Sequence, residues 1–187
     1  MGYYDEVDKV EQYTKMCKDY DGAPLYDVLR RHLVQGSSLL ELGCGPGFDI
    51  QALQHEYCIT GSDFSLAFLS ACQQRFPEVP FQQLHAVTIA TESQFDCIYS
   101  NKVLHNLTIS ELEESLQRQQ QVLSERGYIA HSFWLGDRAE EMYGLSFLYH
   151  DKGALLALIE RYFKVLESNE YGEFEDADSL FVVAQKR

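Results

Sequence analysis

The sequence predicts an α/β protein, with a largely parallel sheet covered by helices on both faces and closed by an antiparallel pair of strands. Three observations carry this. Short apolar bursts alternate with amphipathic stretches along the chain, and the first burst runs directly into a glycine turn, SLLELGCGPG. The last two bursts are separated by about seven residues, Gly172 to Asp178. A parallel crossover needs about a dozen or more, so this final pair should be antiparallel.

The elements follow in order. Residues 5–34 are polar and tyrosine-rich and read as a helix or a pair of helices. SLLEL is a short buried strand, followed by a helix over 48–55. YCITGS is the second strand, and a helix spans about Ser65 to Arg75. Pro77 and Pro80 break the chain before FQQL, a weak third strand; FDCIYS is the fourth. A helix from Ser110 to about Ser124 places Leu112, Leu116 and Leu123 on its inner side. Gly127 introduces YIAHSFW, the fifth strand; GALLALIERY is helical, and KVLESNEY and SLFVVAQ close the sheet.

A chain of 187 residues suits one domain, 1–187, with 1–34 as a helical cap. At 45% hydrophobic and 24% charged residues the composition is globular. No apolar run approaches the ~20 residues of a membrane span. The start, MGYYDEVDKVEQY, has neither the apolar core of a secretory signal nor the basic character of a transit peptide, and Glu6 stands where myristoylation wants Ser or Thr. Five scattered cysteines without a CxxC pair argue against a disulfide framework or zinc site and for a cytoplasmic setting. The net charge of −14 repels a phosphate backbone and disfavours nucleic acid as substrate.

The glycine turn is the first functional signal. A strand that ends in such a loop and opens a helix presents backbone N–H groups to an electron-rich ligand. GxGxxG is the dinucleotide pattern; here the third glycine arrives one position early, at Gly47, and Glu41 lies two residues before Gly43. A pyrophosphate has no use for that carboxylate, so a ligand with a positive end fits better. Asp63, at the tip of the second strand, can accept both hydroxyls of a ribose. Capping the next helix is its alternative role. Together these features specify a nucleoside with a non-phosphate tail.

ELGCGPG, GSDFS, FDCIYSNKVLHNL and the closing DSLFVVAQK, in this order, resemble the class I S-adenosylmethionine-dependent methyltransferases, in particular small single-domain members. The resemblance covers about residues 25–187. It implies a Rossmann-like seven-stranded sheet of order 3-2-1-4-5-7-6 with strand 7 antiparallel, and S-adenosylmethionine as cofactor, leaving as S-adenosylhomocysteine. It further implies that Glu41 anchors the cofactor's ammonium end, that Gly43, Cys44 and Gly45 pass under the methionyl part, and that Asp63 binds ribose beside Phe64 on adenine. His85 and Ala86 then meet the adenine edge, Ser100, Asn101 and Leu104 border the methionyl group, and Tyr13 closes over the cofactor. His85 stands where many relatives carry Asp. A neutral imidazole accepts a hydrogen bond from the adenine amino group and a protonated one cannot, so acidification should weaken cofactor binding.

Methyl transfer from a sulfonium is an in-line displacement governed by orientation and exclusion of water, and no metal is implied. An acceptor with a departing proton needs a base. His105 is the candidate, with a structural histidine as its alternative; His131, inside a strand, reads as a satisfied core residue. Residues 134–149 fall where relatives insert a cover, and Trp134, Tyr143, Phe147 and Tyr149 could wall an aromatic pocket. An acidic protein with an aromatic lid suits a neutral or cationic small molecule. Asn101 lacks the Pro-Pro-Tyr context of nucleic-acid amino methyltransferases, since Lys102-Val103 follow it. The expectation is therefore a small-molecule methyltransferase, monomeric or homodimeric. A protein or RNA methyltransferase, or a cofactor-binding module without catalysis, is the alternative.

Overall fold

A computed structural model describes residues 4, 6–18, 20–142 and 145–187. Two helices, α1 (Val7–Met16) and α2 (Ala23–His32), lead into β1 (Ser38–Leu42), α3 (Phe48–Leu53), β2 (Cys58–Asp63), α4 (Leu66–Arg75), β3 (Phe81–Gln83) and β4 (Phe95–Asn101). A 3-10 turn at Leu104–Asn106 precedes α5 (Ile109–Val122) and β5 (Leu123–Trp134). The chain ends with β6 (Ala139–Met142), β7 (Leu145–Leu148), α6 (Lys152–Glu160), β8 (Phe163–Tyr171) and β9 (Ser179–Lys186).

Seven strands form one sheet in the order β3-β2-β1-β4-β5-β9-β8. The first five run parallel, and β9 is antiparallel to both β5 and β8. This is the anticipated 3-2-1-4-5-7-6 arrangement with the closing pair numbered two higher. The difference comes from a separate hairpin, β6–β7, within the cover segment.

Alternation along each strand divides the core between the two faces. Leu40, Leu42, Ile98, Ile129 and Phe133 pack with Leu112 and Leu116 of α5 and Ile159 of α6. Leu39, Cys97, Tyr99 and Val183 pack with Leu29 of α2, Ile50 of α3 and Cys72 of α4. Burial on both sides explains why SLLEL reads as a continuous apolar run with one acid in it.

Boundaries shift where caps or bulges decide them. Thr108 caps α5, not the residues nearer Ser110, because Thr108 and Glu111 form a reciprocal capping box. Strand β5 begins at Leu123, ahead of the expected Gly127: Leu123 already pairs with Phe95 before the register shifts to Tyr128 opposite Cys97. Among the described residues no helix is long and apolar enough to cross a membrane.

Candidate active site

The glycine loop, the tip of β2 and the ends of β4 and β5 converge at the carboxyl edge of the parallel strands, the place where open α/β sheets bind ligands. The loop is held in a form that side chains resist. Gly43 has φ +66°, and a Cβ there would lie 2.6 Å from Val103; at Gly47 (φ +76°) it would lie 2.8 Å from Phe76. Asp63 fastens the loop to β2: Gly45 N–H donates to its Oδ2 at 2.9 Å and Ser65 N–H to its Oδ1 at 2.8 Å. Each oxygen keeps a further lone pair for a ribose hydroxyl. The cap of α4 is Ser65, whose Oγ accepts from Phe68 N–H at 3.2 Å, so Asp63 is not the helix cap.

Two buried carboxyl groups, Glu41 and Asp49, and a half-buried one, Asp63, lie here. Glu41 is 2% exposed, and its Oε2 has no hydrogen-bond partner. Burial, then the neighbouring carboxyl of Asp49, pushes its pKa well above the ordinary range. Burial also raises Asp49, against the pull of hydrogen bonds from Tyr26 and Asn101. Asp63 is raised by burial and partly restored by backbone N–H groups of Ser65 and Gly45. Buried acids with no cation beside them are costly, and a positively charged ligand relieves that cost. Of the three, Glu41 is the one with a buried carboxyl oxygen that has no partner.

Asn101 stands at the centre of a polar network. Its Nδ2 donates to Tyr20 Oη at 2.6 Å and to Asp49 Oδ2 at 3.2 Å, while Ser132 Oγ donates to its Oδ1 at 2.6 Å. Tyr26 donates to the other oxygen of Asp49. Tyr13 lies over the loop: a Cβ at Gly45 would be 3.9 Å from its ring, and the ring packs edge-on to Tyr4 and Phe68. Cys44 is buried under the loop, and Cys72 Sγ donates to Gly45 O at 3.2 Å. Phe64, 62% exposed, offers a free ring beside His85, with centroids 5.4 Å apart.

Three expected residues are placed differently or more deeply than anticipated, and a fourth falls outside the described residues. His85 Nδ1 accepts from Val87 N–H at 3.2 Å. The neutral ring therefore presents Nε2–H, a donor, and cannot accept from an adenine amino group. Ser100 Oγ is engaged with His131 Nδ1 at 2.8 Å on the α5 face, so its side chain turns away from Glu41 and Asn101. Leu104 is fully buried and packs in the α5-side core. Tyr143 lies outside the described residues. Ala86 is half-buried beside His85, and its carbonyl accepts from Ser115 Oγ at 2.7 Å.

The cover segment assembles next to this edge. His105 stacks on Phe147 of β7 (5.2 Å) and lies edge-on to Trp134 (6.5 Å). Trp134 also meets Tyr149 at 6.3 Å and Phe174 at 5.5 Å. Both nitrogens of His105 lack partners, and burial, Lys102 and His150 hold its pKa down at about 3. His131 is the satisfied core histidine anticipated: its Nε2 meets Gln119 Oε1 at 2.8 Å.

Sequence reasoning missed Asp49, Tyr20, Tyr26, Lys102 and Glu173. Lys102 adopts φ +54°, and its ammonium sits 3.2 Å above the Trp134 ring. It donates to Ser179 Oγ at 2.6 Å and Phe133 O at 3.2 Å, and pairs with Glu173 at 3.5 Å. Burial lowers its pKa to about 8. Asp49, two residues past the glycine loop, was the readable one, as an acid in a helix's first turn. The opposite end of the sheet carries a shallow groove of about 240 Å³ lined by Ser37, Asp96 and Ser124, with none of these unpartnered groups.

Comparison with known proteins agrees with this geometry. Residues 40–129 match the family model of a methyltransferase domain. A trans-aconitate 2-methyltransferase of Methylobacterium nodulans is 33% identical over 97 residues, which cover 50% of this chain and 37% of that protein. A second, from Variovorax paradoxus, is 31% identical over 86 residues, 43% of this chain and 33% of its own length. The matches thus span little more than a third of these curated relatives. The fold is shared with Burkholderia thailandensis 1,6-didemethyltoxoflavin-N1-methyltransferase, solved with its namesake ligand and S-adenosylhomocysteine. The TM-score is 0.82 at 20% identity, over 98% of this chain and 86% of that one. The methyltransferase-domain match thus runs from β1 into β5, just under half of the chain, and the sheet around it has the order of the fold shared with that methyltransferase.

Proposed function

We propose that this chain transfers a methyl group from S-adenosylmethionine to an O, N or S atom of a small molecule. The unpartnered, buried Glu41 at the foot of the glycine loop carries the reading, because it calls for a ligand with a cationic end. When bound, the cofactor supplies an electrophilic methyl on a sulfonium. Glu41 receives its ammonium group, Gly43, Cys44 and Gly45 lie beneath the methionyl part, and Asp63 takes the ribose hydroxyls. Phe64 and Ala86 flank the adenine, to which His85 donates from Nε2. Tyr13 covers the loop, and Asn101, held by Tyr20, Asp49 and Ser132, borders the methionyl end.

The acceptor enters on the side of Trp134, Phe147 and Tyr149, and His105 meets its departing proton. Of the neutral and cationic acceptors expected, the neutral one is favoured, since Lys102 already fills the aromatic and acidic niche made by Trp134 and Glu173. Residues 1–187 act as one domain in the cytoplasm, as a monomer or homodimer. The trans-aconitate and toxoflavin relatives act on small molecules by name, which supports that acceptor class over protein or RNA.

Calorimetry with S-adenosylhomocysteine, followed by transfer of radiolabelled methyl into size-fractionated cell extract, tests the proposal. Label in the small-molecule fraction is the expected result. Binding without transfer would make the chain a cofactor-binding module, and label in protein or RNA would reassign the acceptor.

A further inference from the structure

His105 is 2% exposed with neither ring nitrogen paired, and His150, 5% exposed, leaves its Nε2 unpaired. Buried imidazoles do not stay unpaired without reason. His131, equally buried in the same protein, is fully satisfied by Ser100 and Gln119. The two unsatisfied rings influence one another electrostatically and lie at the β6–β7 hairpin: Phe147 of β7 stacks on His105, and His150 is two residues past the end of β7.

Resting on the methyltransferase reading above, we propose that His105 and His150 hold the methyl acceptor, and that this acceptor is a neutral, planar heteroaromatic ring bearing a weakly basic N–H or O–H. Phe147, stacked on His105 at 5.2 Å, and Trp134, edge-on at 6.5 Å, favour a flat aromatic body. The nearest cation, Lys102, is already paired with Glu173 and bonded to Ser179 and Phe133, so it offers an incoming anion no free donor.

The protonation state narrows the class further. Burial, Lys102 and His150 keep His105 neutral, with a pKa near 3. Such a ring hydrogen-bonds well yet is a feeble base. It can take only a proton that becomes strongly acidic as the new bond to carbon forms. An amide-like ring N–H or an enol-like O–H behaves so; an alkylammonium does not, because it must lose its proton first. In the transfer one N–C or O–C bond forms as one S–C bond of the sulfonium breaks. The positive charge leaves the sulfur and reappears as the proton passed to His105, then to solvent. No solvent reaches the His105 nitrogens with the hairpin in place. Entry therefore requires the hairpin to part from the 104–106 turn, where Asn106 Nδ2 donates to Ser146 O at 2.8 Å.

The test uses the full chain saturated with S-adenosylhomocysteine. Lumazine and 4-quinolone are titrated by calorimetry against butylamine and trans-aconitate, and imidazole ¹⁵N resonances are followed in the wild type. The expected result is binding by at least one ring compound, with shifts confined to His105 and His150. His105→Phe and His150→Phe should each weaken that binding about tenfold or more while S-adenosylhomocysteine affinity stays within twofold. Failure of both ring compounds to bind, tighter binding of the amine or tricarboxylate, or unmoved imidazole resonances overturns the proposal. Failure of S-adenosylhomocysteine to bind the wild type overturns the methyltransferase reading itself, and is seen before any acceptor is added.

Discussion

Replacing Asp63 by Asn removes one charge and one acceptor oxygen while preserving shape. In the native chain each carboxylate oxygen accepts a backbone N–H, from Gly45 at 2.9 Å and from Ser65 at 2.8 Å. Asn keeps one of these bonds and turns an NH₂ toward the other N–H, leaving a buried donor unpaired. That costs about 1–3 kcal/mol. Taken as about 2 kcal/mol in a chain of this length, it lowers the melting temperature by about 4–8 °C. A ribose diol meanwhile loses at least one charge-assisted hydrogen bond, about 1.5–3 kcal/mol, or roughly 10- to 150-fold in Kd. Differential scanning calorimetry reads the first effect and titration with S-adenosylhomocysteine the second. Ser65→Ala is the control: it removes the cap of α4, about 1 kcal/mol, without touching the carboxylate, so affinity should hold within about threefold. An Asp63→Asn protein that melts and binds like wild type would refute the reasoning, as would a Ser65→Ala protein that loses affinity equally.

Other perturbations have definite signs. Burial raises the Glu41 pKa in the folded chain, so its ionised form opposes folding at neutral pH, and that opposition fades as the pH falls through the raised value. Glu41→Gln should therefore melt no lower than wild type without ligand, yet gain a smaller melting shift from S-adenosylhomocysteine. Lys102→Ala removes ties to Ser179, Phe133 and Glu173 and strands a half-buried acid; urea unfolding should show a loss of about 3 kcal/mol, with Glu173→Gln costing clearly less because Lys102 retains two hydrogen bonds. On acidification, two carboxyls lose their stabilising partners. Hydrogen bonds from Arg31, Asn169 and His32 hold Glu167 at about 2. Burial alone would raise Asp178, but the Ser179 hydroxyl and the N–H groups of Glu175, Phe174 and Glu173 bring it to about 2. Both are depressed, so their contribution is complete above the ordinary carboxyl range and is lost as pH falls from about 4 toward 2. Urea midpoints of Asp178→Asn should converge on wild type across that interval.

Much of this molecule is written in local pattern. The strand order, the antiparallel closure and the glycine loop follow from spacing and punctuation, and Asp63 and Glu41 sit where the loop chemistry puts them. What escaped depends on which way a side chain turns or on partners distant in sequence. Ser100 and Asn101 are adjacent, yet strand alternation sends one to His131 and the other to Asp49, and the sequence does not say which. His85 lost its predicted role because its own turn folds Val87 N–H onto Nδ1, a local competition visible only in the backbone. Tyr20 and Tyr26 reach Asn101 and Asp49 from the N-terminal segment, a contact that no periodicity encodes.

The β6–β7 hairpin departs from and returns to nearly the same point. Leu135 and His150 bridge each other, His150 N–H donates to Trp134 O at 2.9 Å, and Gly136 N–H donates to His150 O at 3.0 Å. Asp151 then starts α6 with its own cap. Because both stems are pinned at one doorway, the insert behaves as a cassette: it can lengthen, shorten or be transplanted without moving β5 or α6. A change confined to that short ribbon would leave the glycine loop, the tip of β2 and the end of β4 in place.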